Sequence, residues 1–421
     1  AERQGYERRR ALLVRVGRDS RQVDERLARI DSEIHRRAHP DPEALRARIA
    51  QARERGDAHA EHGPLVDLAY HLWATGAARA GLEAYRRVLA IHARETREQR
   101  ANDENGAARM ALETALTAEG AERDELLAEA LAHGLAALEE HEANGVGGPA
   151  DRVRDHCVLA HVREALGERD EARAHHEAEL ALVLETRRSV ALESDQALRL
   201  FHGVEDHIFE DFARFLAHEE PPDLARALRV GEIGRVGGLR ELYRLRGLPA
   251  PSWADQELSV ADLGRRAGAE TAVLVYQVGS HAAALVCLRA DDLRVFPLAP
   301  PHELERAAEV FARTAFDLTA RDAELERAGQ RAYELLLAPA AEALAGVKRL
   351  VLVGAGRFGR MPFAALVVPG EEALARRHLA QRFELAFAPT LGALTAARAA
   401  PAAGRSVSLG CDGAGTFAPE L

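Results

Sequence analysis

Residues 349–368 read RLVLVGAGRFGRMPFAALVV, and the organisation of the chain follows from this stretch. Arg349 to Val353 is a short apolar, β-branched run of the kind that forms a buried strand. Gly354 and Gly356 then mark a turn. Pro362 opens a second apolar segment carrying Phe363, Ala365 and Leu366, which turns again at Pro369 and Gly370.

Strand signals continue on both sides. Upstream, Thr271 to Val278 (TAVLVYQV) is a continuous β-favouring run, and Gly279 and Ser280 make a turn. His281 to Leu288 returns, and Leu293 to Leu298 follows after Asp291 and Asp292. Short turns between consecutive strands predict an antiparallel meander. A helical stretch spans Pro301 to Ala343. Downstream, RFELAFAPTLGALTAAR predicts a strand, a turn at Pro389 and a helix, and SVSLG (residues 406–410) is one more strand candidate. Alternation of strand and helix predicts a partly parallel α/β sheet.

Before Pro249 and Pro251, which break helix and mark a linker, the pattern is different. From Pro64 to about Gly247 it runs helix, short turn, helix. In residues 65–93, Leu65, Leu68, Ala69 and Leu72 form one stripe, Gly76 the turn, and Gly81, Leu82, Tyr85, Val88 and Leu89 the second stripe. Small residues at Ala69 and Gly81 let the two helices approach closely. Further units centre on Gly120 and Gly167, and a fourth runs from Asp206 through residues 221–245. The turn glycines are spaced more widely than the ~34 residues of a regular tetratricopeptide repeat. The small, large-apolar and turn-glycine positions nevertheless resemble that repeat. A helical pair cannot bury its apolar face alone, which is the physical reason for stacking. Residues 1–62 are charged and helix-favouring, with breaks at Pro40 and Pro42.

The composition narrows the function classes. A length of 421 residues suits two or three domains. The net charge of −11 opposes a nucleic-acid surface as the main business of the chain. Arginine carries nearly all the positive charge, and Lys348 is the only lysine. No run approaches the ~18 apolar residues of a membrane helix. The N-terminus is charged, unlike a signal peptide, and lacks a Met, so the natural start is expected upstream. Cys157, Cys287 and Cys411 are sparse and far apart, which suits a reducing cytoplasm.

From about Ser259 onward the chain resembles the N-terminal portion of a CHAT domain, a caspase-like module often found behind tetratricopeptide arrays. The resemblance rests on the meander, on Leu350 to Val353 with Gly356, on Pro362, Phe363, Ala365 and Leu366, on RFELAFAPTLGALTAAR, and on SVSLG. Gly354, Ala355 and Gly356 stand where the family usually has Pro-Asp-Gly. The resemblance implies a multidomain protein: a charged helical segment (1–62), TPR-like α-helical repeats (63–250), and the N-terminal part of a caspase-like α/β domain (251–421). It also implies cysteine endopeptidase chemistry, with a thiolate attacking a peptide carbonyl. The family's His and Cys follow two later strands and are expected beyond Leu421, so no residue here is assigned as catalytic. Partner-controlled proteolysis in bacterial signalling, cell suicide or antiphage defence is the implied role, with a protein or peptide bound on the repeats. The alternative is a non-enzymatic adaptor with a pseudo-protease domain.

Arg357 and Arg360 lie on the loop after RLVLV, at the sheet end that faces the cleft of a caspase-like fold, where a guanidinium suits an acidic side chain or a peptide carbonyl. Solvated loop arginines are the competing reading. Residues 354–359 also spell GxGxxG, but Pro362 falls in what would be the first helical turn of a dinucleotide fold. Cys157 with His161, and the group His156, His161, His175 and His176, match no closed ligand set, so no metal and no cofactor are expected.

Overall fold

The computed structural model describes residues 41–91, 96–189, 205–245, 248–249, 259–290, 292–317, 319–354, 358, 361–370 and 378–396. The chain forms two compact units, Ala1–Ile208 and Phe209–Leu421. No helix among the described residues is long and apolar enough to cross a membrane.

The first unit is helical. Its described helices are α1 (Pro42–Glu54), α2 (Ala58–Ala74), α3 (Ala78–Ala90), α4 (Arg97–Ala115), α5 (Gly120–Ala143), α6 (Pro149–Leu166) and α7 (Arg169–Ser189). Local chemistry fixes the starts. Asp41 accepts from the Glu43 amide with Pro42 at the first helical position, Asp57 caps Ala60, and Thr96 caps Gln99. Pro42 therefore opens a helix where the sequence predicted a break. Gly167 adopts the left-handed conformation (φ 78°) that closes α6.

Each helix packs on its successor, and α4 also contacts α6. Missing side chains set the spacing. A Cβ on Gly81 would lie 3.0 Å from the Ala69 carbonyl oxygen, which bears out the close approach predicted for α2 and α3. A Cβ on Gly106 would lie 2.4 Å from the Tyr85 ring, and one on Gly134 would lie 2.8 Å from Leu159. Buried polar pairs link the same layers. Glu61 receives Arg53 and Arg87, His62 meets Asp103 at 2.7 Å, and Asp155 holds Asn105 at 2.8 Å and His141 at 2.5 Å.

The second unit begins within α8 (Glu205–Ala217) and continues with α9 (Leu224–Leu245) and α10 (Val260–Ala267). The strands are β1 (Thr271–Val278), β2 (Ala283–Arg289), β3 (Asp292–Leu298), β4 (Arg349–Val353) and β5 (Glu384–Ala388). Between β3 and β4 lie α11 (Pro301–Phe316), α12 (Asp322–Leu336) and a 3₁₀ segment, Ala338–Leu344. A 3₁₀ turn at Phe363–Ala365, α13 (Leu379–Arg382) and α14 (Leu391–Ala396) complete it. The sheet order is β3-β2-β1-β4-β5. The first three strands form the predicted antiparallel meander, while β4 and β5 join parallel, with Val273 opposite Val351 and Leu350 opposite Leu385. β2 begins two residues later than the sequence indicated, because the Gly279 amide bonds the Ala282 carbonyl and closes the turn. Pro297 sits in β3, an edge strand, where a missing donor is tolerated.

Helices cover both faces. Leu274, Tyr276, Leu285 and Leu352 share a core with Leu304, Phe311 and Leu336 of α11 and α12. Val273, Val275, Val286 and Val353 share another with Leu228 of α9, Leu263 of α10 and Leu391 of α14. The fourth helical pair, expected within the array up to residue 250, thus packs with the sheet, and the units divide after Ile208. The reason is the stripe of α9 that carries Leu228, which completes the sheet's second apolar face. At the amino end of β4, Lys348 donates its amide to the Glu270 carbonyl and pairs its ammonium with Glu270 at 2.5 Å.

The Gly106–Tyr85 contact leaves no room for a methyl group. Gly106→Ala is expected to destabilise the helical unit by about 1–3 kcal/mol through overpacking. Adding Tyr85→Leu to Gly106→Ala should lower the melting temperature by less than the sum of the single changes, measured by circular dichroism.

Candidate functional site

β1, β4 and β5 run parallel; Val353 and Ala388 end their strands in register with Val275, and β1 continues to Val278. In open α/β sheets ligands gather outside such carboxyl ends. Here each strand end is met by a side chain from α8 or α9. Asp211, on α8, takes the β1–β2 turn: it accepts the Ser280 amide at 2.6 Å and the Ser280 hydroxyl at 2.7 Å. A Cβ on Gly279 would lie 2.1 Å from the same carboxylate, so only glycine fits. Glu232, on α9, is buried and accepts the Leu391 and Gly392 amides at 2.9 and 2.7 Å where the chain leaves β5. Those amides are the orphan donors of α14, which a carboxylate satisfies with both hydrogen bonds and charge.

Arg235 stands one turn further along α9. Its Nη1 donates to Glu210 at 2.9 Å, and its Nε lies 3.5 Å from Glu232. Glycines admit it: a Cβ on Gly231 would lie 3.0 Å from the guanidinium, and Gly234 leaves room for Phe209. Gly354, just past β4, takes φ 74°, and a Cβ there would lie 2.7 Å from the Tyr276 carbonyl oxygen and 3.7 Å from Arg235 Nη1. Backbone of β1 and β4 can touch at this point only because residue 354 is glycine.

On the other face of the sheet the same ends carry aromatics. Tyr276 meets Phe358 edge-on at 5.1 Å, and Phe363 packs on Tyr276, Phe358 and Phe387. Phe363 and Leu366 are buried, so the Pro-Phe-x-Ala-Leu run is a core signature. The stretch after Pro362 is a 3₁₀ turn at Phe363–Ala365, where a dinucleotide fold would place a helix.

Arg357 and Arg360, expected to face this cleft, lie outside the described residues, as do Cys411 and SVSLG. Cys287 is a core residue of β2, and burial, helped by the Asp292 charge, pushes its thiol up to about 11, so it stays a thiol and is no nucleophile. Cys157 is half-buried on α6. Asp211, Glu232, Arg235 and Gln277 escaped the sequence reading. Their signal was present as polar residues interrupting apolar stripes: Glu232 and Arg235 follow Leu228 at helical spacing, and Gln277 breaks TAVLVYQV.

The histidines of the helical unit form pairs. His156 and His175 face each other Nδ1 to Nδ1 at 2.9 Å, and burial holds both below the usual imidazole range, His175 down to about 4. His176 is fully buried. Burial alone lowers its pKa, but the Glu164 hydrogen bond at 2.9 Å and Glu179 at 3.6 Å overcome this and raise it to about 9. Among the described residues no three His, Cys, Asp or Glu side chains group as a metal site.

The fold is therefore a helical unit followed by an α/β unit with a small mixed sheet. The family model of the CHAT domain matches residues 326–414, from within α12 through β4, β5 and α14. No curated protein matches the chain.

Two measurements test these assignments. Since the folded pKa of His176 stands above the unfolded value of about 6.5, its stabilisation is complete below that pH and is lost as pH rises through about 9. The melting temperature should accordingly fall between those values, and His176→Gln should flatten that slope. Glu232→Gln keeps the shape but leaves one acceptor oxygen for the two amides and sets an NH2 group against the other, and should cost about 1–3 kcal/mol. Hydrogen exchange should rise at Leu391 and Gly392 in this variant and stay unchanged in β2.

Proposed function

We propose that the chain belongs to a regulated cysteine endopeptidase of the CHAT, caspase-like type, working in a bacterial cytoplasm. In this reading the helical unit is a TPR-like array that binds a protein or peptide partner, and the α/β unit is the first part of the peptidase. The observation that carries the proposal is the CHAT match over residues 326–414, falling on strands that join an upstream meander in one sheet. In this reading Cys287, a buried thiol, is not the nucleophile, and the nucleophile and its base are those that the family resemblance implies downstream of Leu421. Arg357 and Arg360 are the proposed contacts to an acidic side chain or peptide carbonyl of the substrate. No cofactor or metal enters this chemistry, because a Cys–His pair activates itself.

The helical unit supports partner binding through its construction. Successive helices stack by close contact at glycines, which leaves the outer faces of the layers for recognition. Partner-controlled proteolysis in signalling, cell suicide or antiphage defence follows from the family resemblance. The adaptor reading keeps the array and drops the chemistry.

The reading frame continued past Leu421 separates the two. A product carrying a His and a Cys after successive strands should cleave a partner or candidate substrate, and iodoacetamide should abolish that cleavage. Residues 1–421 alone should cleave nothing in the same assay. Absence of alkylation-sensitive cleavage from the longer product, across all partners tried, would favour the adaptor.

A further inference from the structure

α7 is the last helix of the stack. Among the described elements it packs extensively on α6 alone, whereas α6 also packs on α4 and α5. What holds α7 to α6 therefore decides whether the last layer is in place. Part of that seat is apolar, with Ala172, Leu180 and Val183 buried on α7. The rest includes a pair of imidazoles. His156 of α6 and His175 of α7 face each other Nδ1 to Nδ1 at 2.9 Å, with their rings tilted by 44°.

A neutral imidazole has one N–H and one bare nitrogen, and an imidazolium has two N–H groups. Two Nδ1 atoms at hydrogen-bond distance have room for one hydrogen between them. The pair keeps its contact when neutral, and keeps it with one added proton. With both rings protonated, two N–H groups point at each other and two like charges meet, so the rings must part.

The surroundings admit the first proton and oppose the second. Burial opposes a charge on His156, but Glu142, Glu179 and Asp155 favour one. Glu142 of α5 lies 3.5 Å from His156 Nε2. Asp155 of α6 is shared with His141 of α5 and the neutral Asn105 of α4. Around His175 there is no such relief: burial comes first, and His156, Arg163 and His176 add positive charge. His176 is already protonated at neutral pH, with Glu164 and Glu179 as its own carboxylates.

We infer that α7 is an acid-released end layer: the facing rings of His156 and His175 seat it on α6 while at most one of them is protonated, and protonation of both frees it. The device lies within the helical unit, so it serves the peptidase and adaptor readings alike. His175 stands at about 4, below the unfolded value of about 6.5. Its contribution is therefore complete above 6.5 and is lost as pH falls through about 4. His176, raised to about 9, changes its contribution above 6.5 and so leaves this window to the pair.

The test uses residues 1–421. Hydrogen exchange, corrected for the intrinsic effect of pH on the chemistry, is read by mass spectrometry at pH 7 and pH 5, above the ordinary carboxylate range. Protection of α7 should fall at least about tenfold between these values, while α3 keeps its own. Replacing both rings, His156→Gln with His175→Gln, should hold α7 protection within about twofold across the same interval. Ring signals of the unaltered chain give a second reading that needs no variant: His175 should stay neutral to below pH 5. Unchanged α7 protection at pH 5 would overturn the inference, as would an equal loss in α3, an equal loss in the doubly substituted chain, or a His175 ring that titrates near 6.5.

Discussion

β1 is hydrogen-bonded along both edges and buried on both faces, and the second unit is organised around that constraint. Its antiparallel edge fixes β2 and its parallel edge fixes β4, in registers that place Val273 beside both Leu288 and Val351. A strand so enclosed has no solvent face, so each side chain needs a helix above or below it. The lower side is met by α11 and α12, which the chain makes while crossing from β3 to β4. The upper side is met partly by α9, which precedes the sheet in sequence. For this reason α9 is part of the sheet unit and not one more layer of the helical stack.

The helical unit solves a different problem. Its cores are rich in alanine and glycine, and helices approach until backbone and ring atoms touch. Close approach brings polar, titratable groups inside, and they are accommodated in pairs, such as His62 with Asp103 and His141 with Asp155. Buried pairs of this sort add little net stability, yet removing one member leaves an isolated charge. Register between layers is then set by polar matching as well as by shape.

The sheet was readable because β-branched apolar runs bounded by glycine or proline carry a strong local signal. TAVLVYQV and RLVLV became β1 and β4 without a change of boundary. Turn glycines at 76, 120 and 167 were likewise read correctly, since each has a positive φ that other residues avoid. The assignment of α8 and α9 was not legible. A helix with an apolar stripe looks the same whether it packs on helices or on a sheet, and only contact with Val273 and Val275 decides. The polar residues of the strand ends escaped for a related reason: Asp211 and Ser280 are 69 positions apart, and Glu232 and Gly392 are 160 apart. Local periodicity holds no information about such pairs. Of the residues assigned to the cleft from sequence, Arg357 and Arg360 fall outside the described part of the chain.

Lys348 carries a practical consequence. It is the single lysine, its side chain is 73% exposed, and it stands at the amino end of β4. A strand of that length separates it by roughly 16 Å from the carboxyl end of β4. Amine-directed dyes, cross-linkers or surface tethers therefore have one side-chain address, on the far rim of the sheet. The molecule comes with a built-in handle at the amino end of β4 that fixes its orientation.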